Sequence, residues 1–193
     1  MSGSYPTTPV ARSARISSQQ NTIVSVTSSG RKQARQIDGQ RFTITLQYPP
    51  MTRSEFSPIK AFIMKQRSQL ESFTVIPPAT ESDAQGTASG TPTGTASVGA
   101  TSITLGGTGT GTLKAGDYIK FANHNKVYMV VADNSDISTG SLTIEPPLRT
   151  AVSGTDITYD DVPFTVSLTS DIQEYNIGTT NLYAYELDVV EVL

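Results

Sequence analysis

The chain has 193 residues, 36% hydrophobic and 16% charged, with a formal net charge of -3; this balance suits one sizeable globular domain or two small ones and excludes a disordered chain. The absence of cysteine excludes a disulfide framework and thiolate metal sites. Low charge with abundant Thr, Ser and Gly fits a β protein with a hydroxyl-rich surface, and no run approaches the roughly 18 apolar residues of a membrane span.

The start, Met1-Ser2-Gly3-Ser4-Tyr5, has no charged region followed by an apolar run, so a product made in the cytoplasm without an export signal is expected. Thr22 to Thr27 reads as a strand, Ser28-Ser29-Gly30-Arg31 as a turn, Gln33 to Ile37 as the returning strand and Asp38-Gly39 as a second turn. Phe42, Ile44, Leu46 and Tyr48 then alternate with Arg41, Thr43, Thr45 and Gln47. That period of two predicts a strand with one buried and one solvated face, stopped by Pro49-Pro50.

One helix is expected, from about Arg53 to Ser72. Thr52-x-x-Glu55 is a capping box, and Met51 with Phe56 fits a hydrophobic staple around it. Pro58 requires either that Ser54 is the true cap or that the helix bends. Phe56, Ile59, Phe62, Ile63, Gln66 and Leu70 fall at steps of three and four, a stripe that would lie on a sheet. Phe73 to Ile76 is a short strand closed by Pro77-Pro78.

A Gly/Thr/Ser/Ala tract from about Ala79 to Thr112 follows; it reads as a linker or long loop holding one short strand, Ser102 to Leu105. Its Gly106-Gly107-x-Gly109-x-Gly111 is not a phosphate loop, because no Gly-Lys-Ser/Thr and no helix follows. Beyond Leu113, the Lys114-Ala115-Gly116-Asp117 turn, Tyr118 to Phe121, the Asn123-His124-Asn125 loop, Lys126 to Ala132, Leu142 to Ile144 and Asp156 to Tyr159 predict short strands in a compact barrel or sandwich. Phe164, Val166 and Leu168, then Tyr183, Tyr185, Leu187 and Val189, alternate again. The expected fold is therefore mainly β: a β-sandwich with one packed helix, residues 1–78 and 161–193, interrupted by a small inserted module with its linker, residues 79–160.

Catalytic constellations are thin. The sole histidine, His124, sits between asparagines in a turn, where a triad or a His-based metal site has no partners. Asp160-Asp161 and Asp133-Asn134-Ser135-Asp136 offer oxygens to calcium, but the second lacks the Gly and distal Glu of a helix-loop-helix calcium site, and turn chemistry accounts for both. No carboxylate pair is singled out for glycoside hydrolysis, and no tryptophan is present to stack on sugar. Tyr118 and Tyr128 fit either core packing or a sugar-binding face. No catalytic, cofactor or metal residue is assigned.

Charge is segregated. Arg12, Arg15, Arg31, Lys32, Arg35 and Arg41 face only Asp38 in the first 41 residues, whereas no Lys or Arg follows Arg149. Two accounts stand: the ends are neighbours in one sheet, or they lie on opposite flanks and meet between subunits. The second names Arg31, Arg35, Glu186 and Asp188 as interface residues, with Val24, Val26 or Val190 supplying apolar contact. Nucleic acid is a poor partner for an acidic chain whose arginines are not interleaved with aromatics.

The succession Gly30-Arg31, Tyr48-Pro49-Pro50-Met51-Thr52, Phe56-x-Pro58, Phe73-Thr74-Val75-Ile76-Pro77, Lys114-Ala115-Gly116-Asp117-Tyr118-Ile119-Lys120-Phe121 and Lys126-Val127-Tyr128 resembles the distal tail proteins of long-tailed bacteriophages. The resemblance implies a non-enzymatic virion protein with a helix-backed β-sandwich, assembled in the host cytoplasm as a ring, a homohexamer, that joins the tail-tube protein to the hub or tip protein. It implies neither a membrane nor recognition of nucleic acid sequence. Tail-tube, tail-terminator and baseplate-ring subunits share that design; a carbohydrate-binding module and a hydrolase are the readings from other classes.

Overall fold

The computed structural model describes residues 3–193; Met1 and Ser2, where the stretch read for an export signal begins, lie outside the described residues. In chain order the elements are β1 (Ser13–Val26), β2 (Lys32–Gln47), α1 (Arg53–Lys65), a 3-10 turn (Ser68–Leu70), β3 (Phe73–Val75), α2 (Ala79–Ser82), β4 (Ser89–Ala96), β5 (Ser102–Thr110), β6 (Tyr118–Phe121), β7 (Val127–Val130), β8 (Ser141–Glu145), β9 (Val152–Thr158), β10 (Phe164–Leu168), β11 (Tyr175–Ile177) and β12 (Tyr183–Glu191). They form a sheet in the order β1-β2-β12-β10-β3, with β11 added to β12, and a closed barrel in the order β4-β5-β8-β7-β6-β9. The fold is mainly β, with one substantial helix, and the inserted module is a barrel.

The alternating strands behave as their pattern demands. Phe42, Ile44 and Leu46 of β2 share a buried face with Leu187 and Val189 of β12 and with Phe164, Val166 and Leu168 of β10. This face is covered by α1 and by one side of the barrel, and both contribute to its core. The opposite face carries Thr45 and Gln47 beside Asp188 and Glu186.

The first hairpin is longer than its sequence suggests. β1 and β2 pair from Ser13↔Gln47 to Val26↔Lys32, and Asp38-Gly39 is not a turn. The register passes from Gln19↔Arg41 to Asn21↔Ile37, so residues 38–40 bulge opposite Gln20, with Gly39 at φ 111. A bulge bends a strand without ending it.

Thr52 is the helix cap, and Glu55 accepts hydrogen bonds from its backbone N–H and its hydroxyl, both at 2.8 Å. These donors hold the Glu55 carboxyl below its usual range. Pro58 therefore lies within the helix. Phe56, Ile59 and Ile63 are buried, and Phe62 is partly buried edge-on to Tyr5 and Phe73. The helix ends at Lys65, well short of Ser72, because Arg67 and Ser68 take left-handed backbone (φ 53 and 62). Leu70, the last member of the expected stripe, is consequently 72% exposed.

The Gly/Thr tract is not a linker. It forms the short α2 and the strands β4 and β5, which pair from Ser89↔Thr110 to Thr95↔Thr104 and close the barrel against β9 and β8. These strands need little apolar bulk, because the barrel interior is filled from the other side by Phe121, Tyr128, Ile119 and Ile144. Gly94 is the clearest case: a Cβ there would stand 2.7 Å from the Phe121 ring and 2.9 Å from Ile103.

Two stability predictions test this packing. Ile59→Ala should cost about 3 kcal/mol through lost burial and a cavity, whereas Leu70→Ala should stay within about 0.5 kcal/mol of the parent; denaturant unfolding of both would expose a wrongly placed stripe if the two costs were equal. Gly94→Ala should cost about 1–3 kcal/mol by overpacking, and an unchanged melting temperature would show that the barrel is looser than these contacts require.

Candidate assembly interface

The outer half of the β1-β2 hairpin is a free-standing arm. Residues 17–38 are exposed throughout, and the arm carries Ile23, Val24, Val26 and Ile37 into solvent. β1 is also an edge strand, so a row of its backbone groups is open to another chain. The other edge is covered: Tyr5 N–H donates to Thr74 O, and Thr74 N–H to Gly3 O.

Arg31 lies at the arm's turn, where its backbone N–H donates to Thr27 Oγ1, and Arg35 stands opposite Ile23. Glu186 and Asp188 project from the outer face of β12, opposite Gln47 and Thr45. Thr45 donates to Asp188 at 2.6 Å and Gln47 to Glu186 at 3.3 Å. Strands β2 and β12 are neighbours, so the oppositely charged ends do share a sheet, yet the four named residues are not brought together. Twelve positions of β2 separate Arg35 from Gln47, about 40 Å at about 3.3 Å per residue.

The barrel is fixed to the sheet by a buried ion pair. Lys126 and Glu191 are 3% and 0% exposed and meet at 2.5 Å. Lys126 Nζ also donates to Gln40 Oε1 and sits 4.7 Å from the centre of the Phe42 ring. Glu191 accepts from the backbone N–H of Val127 and of Phe42. Burial lowers the Lys126 pKa, and the carboxylate opposite works against that shift. Around the pair, Tyr118 of the barrel packs edge-on against Phe42 and Phe164 of the sheet. The ends of the insertion are tied: Val162 N–H donates to Ser82 O, Asp161 N–H to Asp83 Oδ1, and Ala84 N–H to Asp160 Oδ1.

Residues 80–159, the inserted barrel with its lead-in, match the family described as Distal tail protein pb9, B domain. The barrel is thus similar to a distal tail protein B domain. The match supports a structural role in a phage tail; no curated protein matches the chain.

Within the barrel, the residues weighed for chemistry serve packing and turns. Tyr118 and Tyr128 are buried, which is the core role. His124 is half-buried and not simply a solvated turn residue: Nε2 pairs with Tyr128 Oη at 2.8 Å, Nδ1 with Asn123 Oδ1, and the ring stacks on Phe121. Burial, with Lys120 nearby, pushes its pKa down. Asp136 accepts from Ser138 and Thr139, and Asp133 from Ala115 and Lys114. Among the described residues, no group of three or more His, Asp or Glu is placed to hold a metal.

The Lys126–Glu191–Gln40 cluster escapes a reading by motif. One signal was available: Glu191 continues the inward phase of Tyr185, Leu187 and Val189, so a carboxylate there must be buried and needs a cation. Lys126→Met should therefore destabilise the protein by about 3–5 kcal/mol by leaving Glu191 unpaired. Adding Glu191→Gln should recover part of that loss, because the amide is neutral and still accepts from Val127. Denaturant unfolding of both variants checks this; equal costs for single and double changes would show that the two charges are not coupled.

Proposed function

We propose that the chain is a structural, non-enzymatic subunit of a phage tail that assembles as a ring at the tail's distal end, where it joins the tail-tube protein to the hub or tip protein. The observation that carries the reading is a barrel similar to a distal tail protein B domain, held by a buried ion pair on a sheet whose β1 edge and arm are unpartnered. An arm that docks on a different surface of the next copy makes a heterologous contact, and contacts of that kind close into rings when the rotation permits. Six subunits follow from the resemblance to distal tail proteins, as do assembly in the host cytoplasm and residence in the virion.

The charge distribution supports the same reading. Arg31 and Arg35 on the arm lie roughly 33 to 53 Å of strand from Glu186 and Asp188, so their complementarity is satisfied between subunits. Such charges set encounter rate and register more than affinity.

Particle images of the purified protein test the proposal directly: closed rings are expected, and a monomer at every concentration overturns it. Glu186→Lys with Asp188→Lys should reduce the ring fraction several-fold at low salt, where exposed charges are least screened, and Arg31→Glu with Arg35→Glu should restore part of it. Unchanged assembly at low salt, with the melting temperature also unchanged, would remove these four residues from the interface.

A further inference from the structure

The arm and a cleft at the far end of the same sheet are complementary in chemistry and out of reach of each other within one chain. A two-stranded ribbon is marginally stable alone in water, and one face of this arm sets Ile23 opposite Arg35, with Ile37 two residues further along the strand. The two isoleucines are 58% and 46% exposed. The arm's charges are Arg31, Lys32 and Arg35 against Asp38.

The cleft, of about 780 Å³, lies where the segment 169–176 approaches β12. It presents Glu174, Glu186 and Asp188 against Arg12, so its excess of carboxylates mirrors the arm's excess of cations. Ile172 on its wall is 71% exposed, an apolar side chain without cover in a mostly polar site. Tyr185, which donates to Gln173 Oε1 at 3.1 Å, ties this wall to β12.

We propose that the arm of one copy lies along this cleft in a second copy of the chain, with Ile23 and Ile37 covering Ile172, and Arg35 facing Glu174, Glu186 and Asp188. The proposal deepens the ring reading and rests on it for the identity of the occupant. Each copy offers its arm at one end of the sheet and its cleft at the other, so the contact is head-to-tail and leaves both features available for further copies. Burying the isoleucines supplies the apolar contact that charge pairing alone lacks, and docking gives the arm a third surface to pack against.

The chain has no cysteine, so introduced thiols report contact without background. Ile23→Cys and Ile172→Cys are made in separate chains, mixed, and oxidised; disulfide formation requires Cα atoms within about 7 Å. A disulfide-linked dimer between the two variants is expected, at least tenfold above that from Ile23→Cys mixed with Val131→Cys, whose position on the barrel is also exposed. Adding Arg35→Glu to the arm variant should cut the yield several-fold. Particle images of the parent, taken in parallel, separate the two ideas. Rings without the specific disulfide overturn arm docking and leave the ring reading standing; the disulfide without rings supports arm docking and removes ring closure; neither removes both.

Discussion

The Lys126–Glu191 pair is the constraint on which the molecule's shape depends. Burying two charges costs more than their attraction returns unless other bonds complete the site. Here Glu191 gains the N–H groups of Val127 and Phe42, and Lys126 gains Gln40 and the face of Phe42. Those partners come from both bodies: Gln40, Phe42 and Glu191 from the sheet, Lys126 and Val127 from the barrel. A barrel rotated or slipped by one residue would strand at least one buried charge. Apolar packing of Tyr118 on Phe42 and Phe164 tolerates small displacements; the ion pair does not. On this argument the pair sets orientation, and the surrounding aromatic contacts supply most of the affinity between the two bodies.

Closure and openness are divided between those bodies. The barrel has no free edge, because β4 pairs with both β5 and β9, and its glycine-rich strands therefore carry no risk of stray pairing. The sheet has its β3 edge covered by residues 3–5 and its β1 edge bare. A long bare edge that carries isoleucine and valine is a hazard in a monomer, and the proposed assembly would cover it.

Much of this was legible in sequence where local chemistry and tertiary demand agree. The alternation of Phe42, Ile44 and Leu46, the Thr52-x-x-Glu55 start and the paired prolines at 49–50 and 77–78 all mark boundaries near the observed ones. The reading fails where tertiary contacts reverse the meaning of a residue. Glycines between 79 and 112 look like flexibility, but Gly94 is there because Phe121 and Ile103 leave no room for a side chain. Asp38-Gly39 looks like a turn and is a bulge inside one strand, since the pairing of β1 beyond it is a long-range fact. Leu70 fits the helical period, but the backbone leaves the helix at Arg67. Of the interface, the charge segregation was visible; the buried pair that orients the barrel appears only once β12 is known to bring Glu191 inward.

These elements bear on one another through the same two strands. β2 carries Gln40 and Phe42 at its middle, where they hold the barrel, and beyond its bulge at residues 38–40 it becomes half of the arm. β12 carries Glu191 at one end and Glu186 near its middle, on the cleft. The strand that anchors the barrel thus also projects the arm, and its neighbour that anchors the same barrel also presents the acidic surface. A rigid join between sheet and barrel at residues 40–42 and 191 fixes the angle at which the arm departs, because Gln40 is the last residue of the bulge and is held by Lys126. Whatever the arm contacts, its approach is therefore governed by the buried pair that seats the barrel.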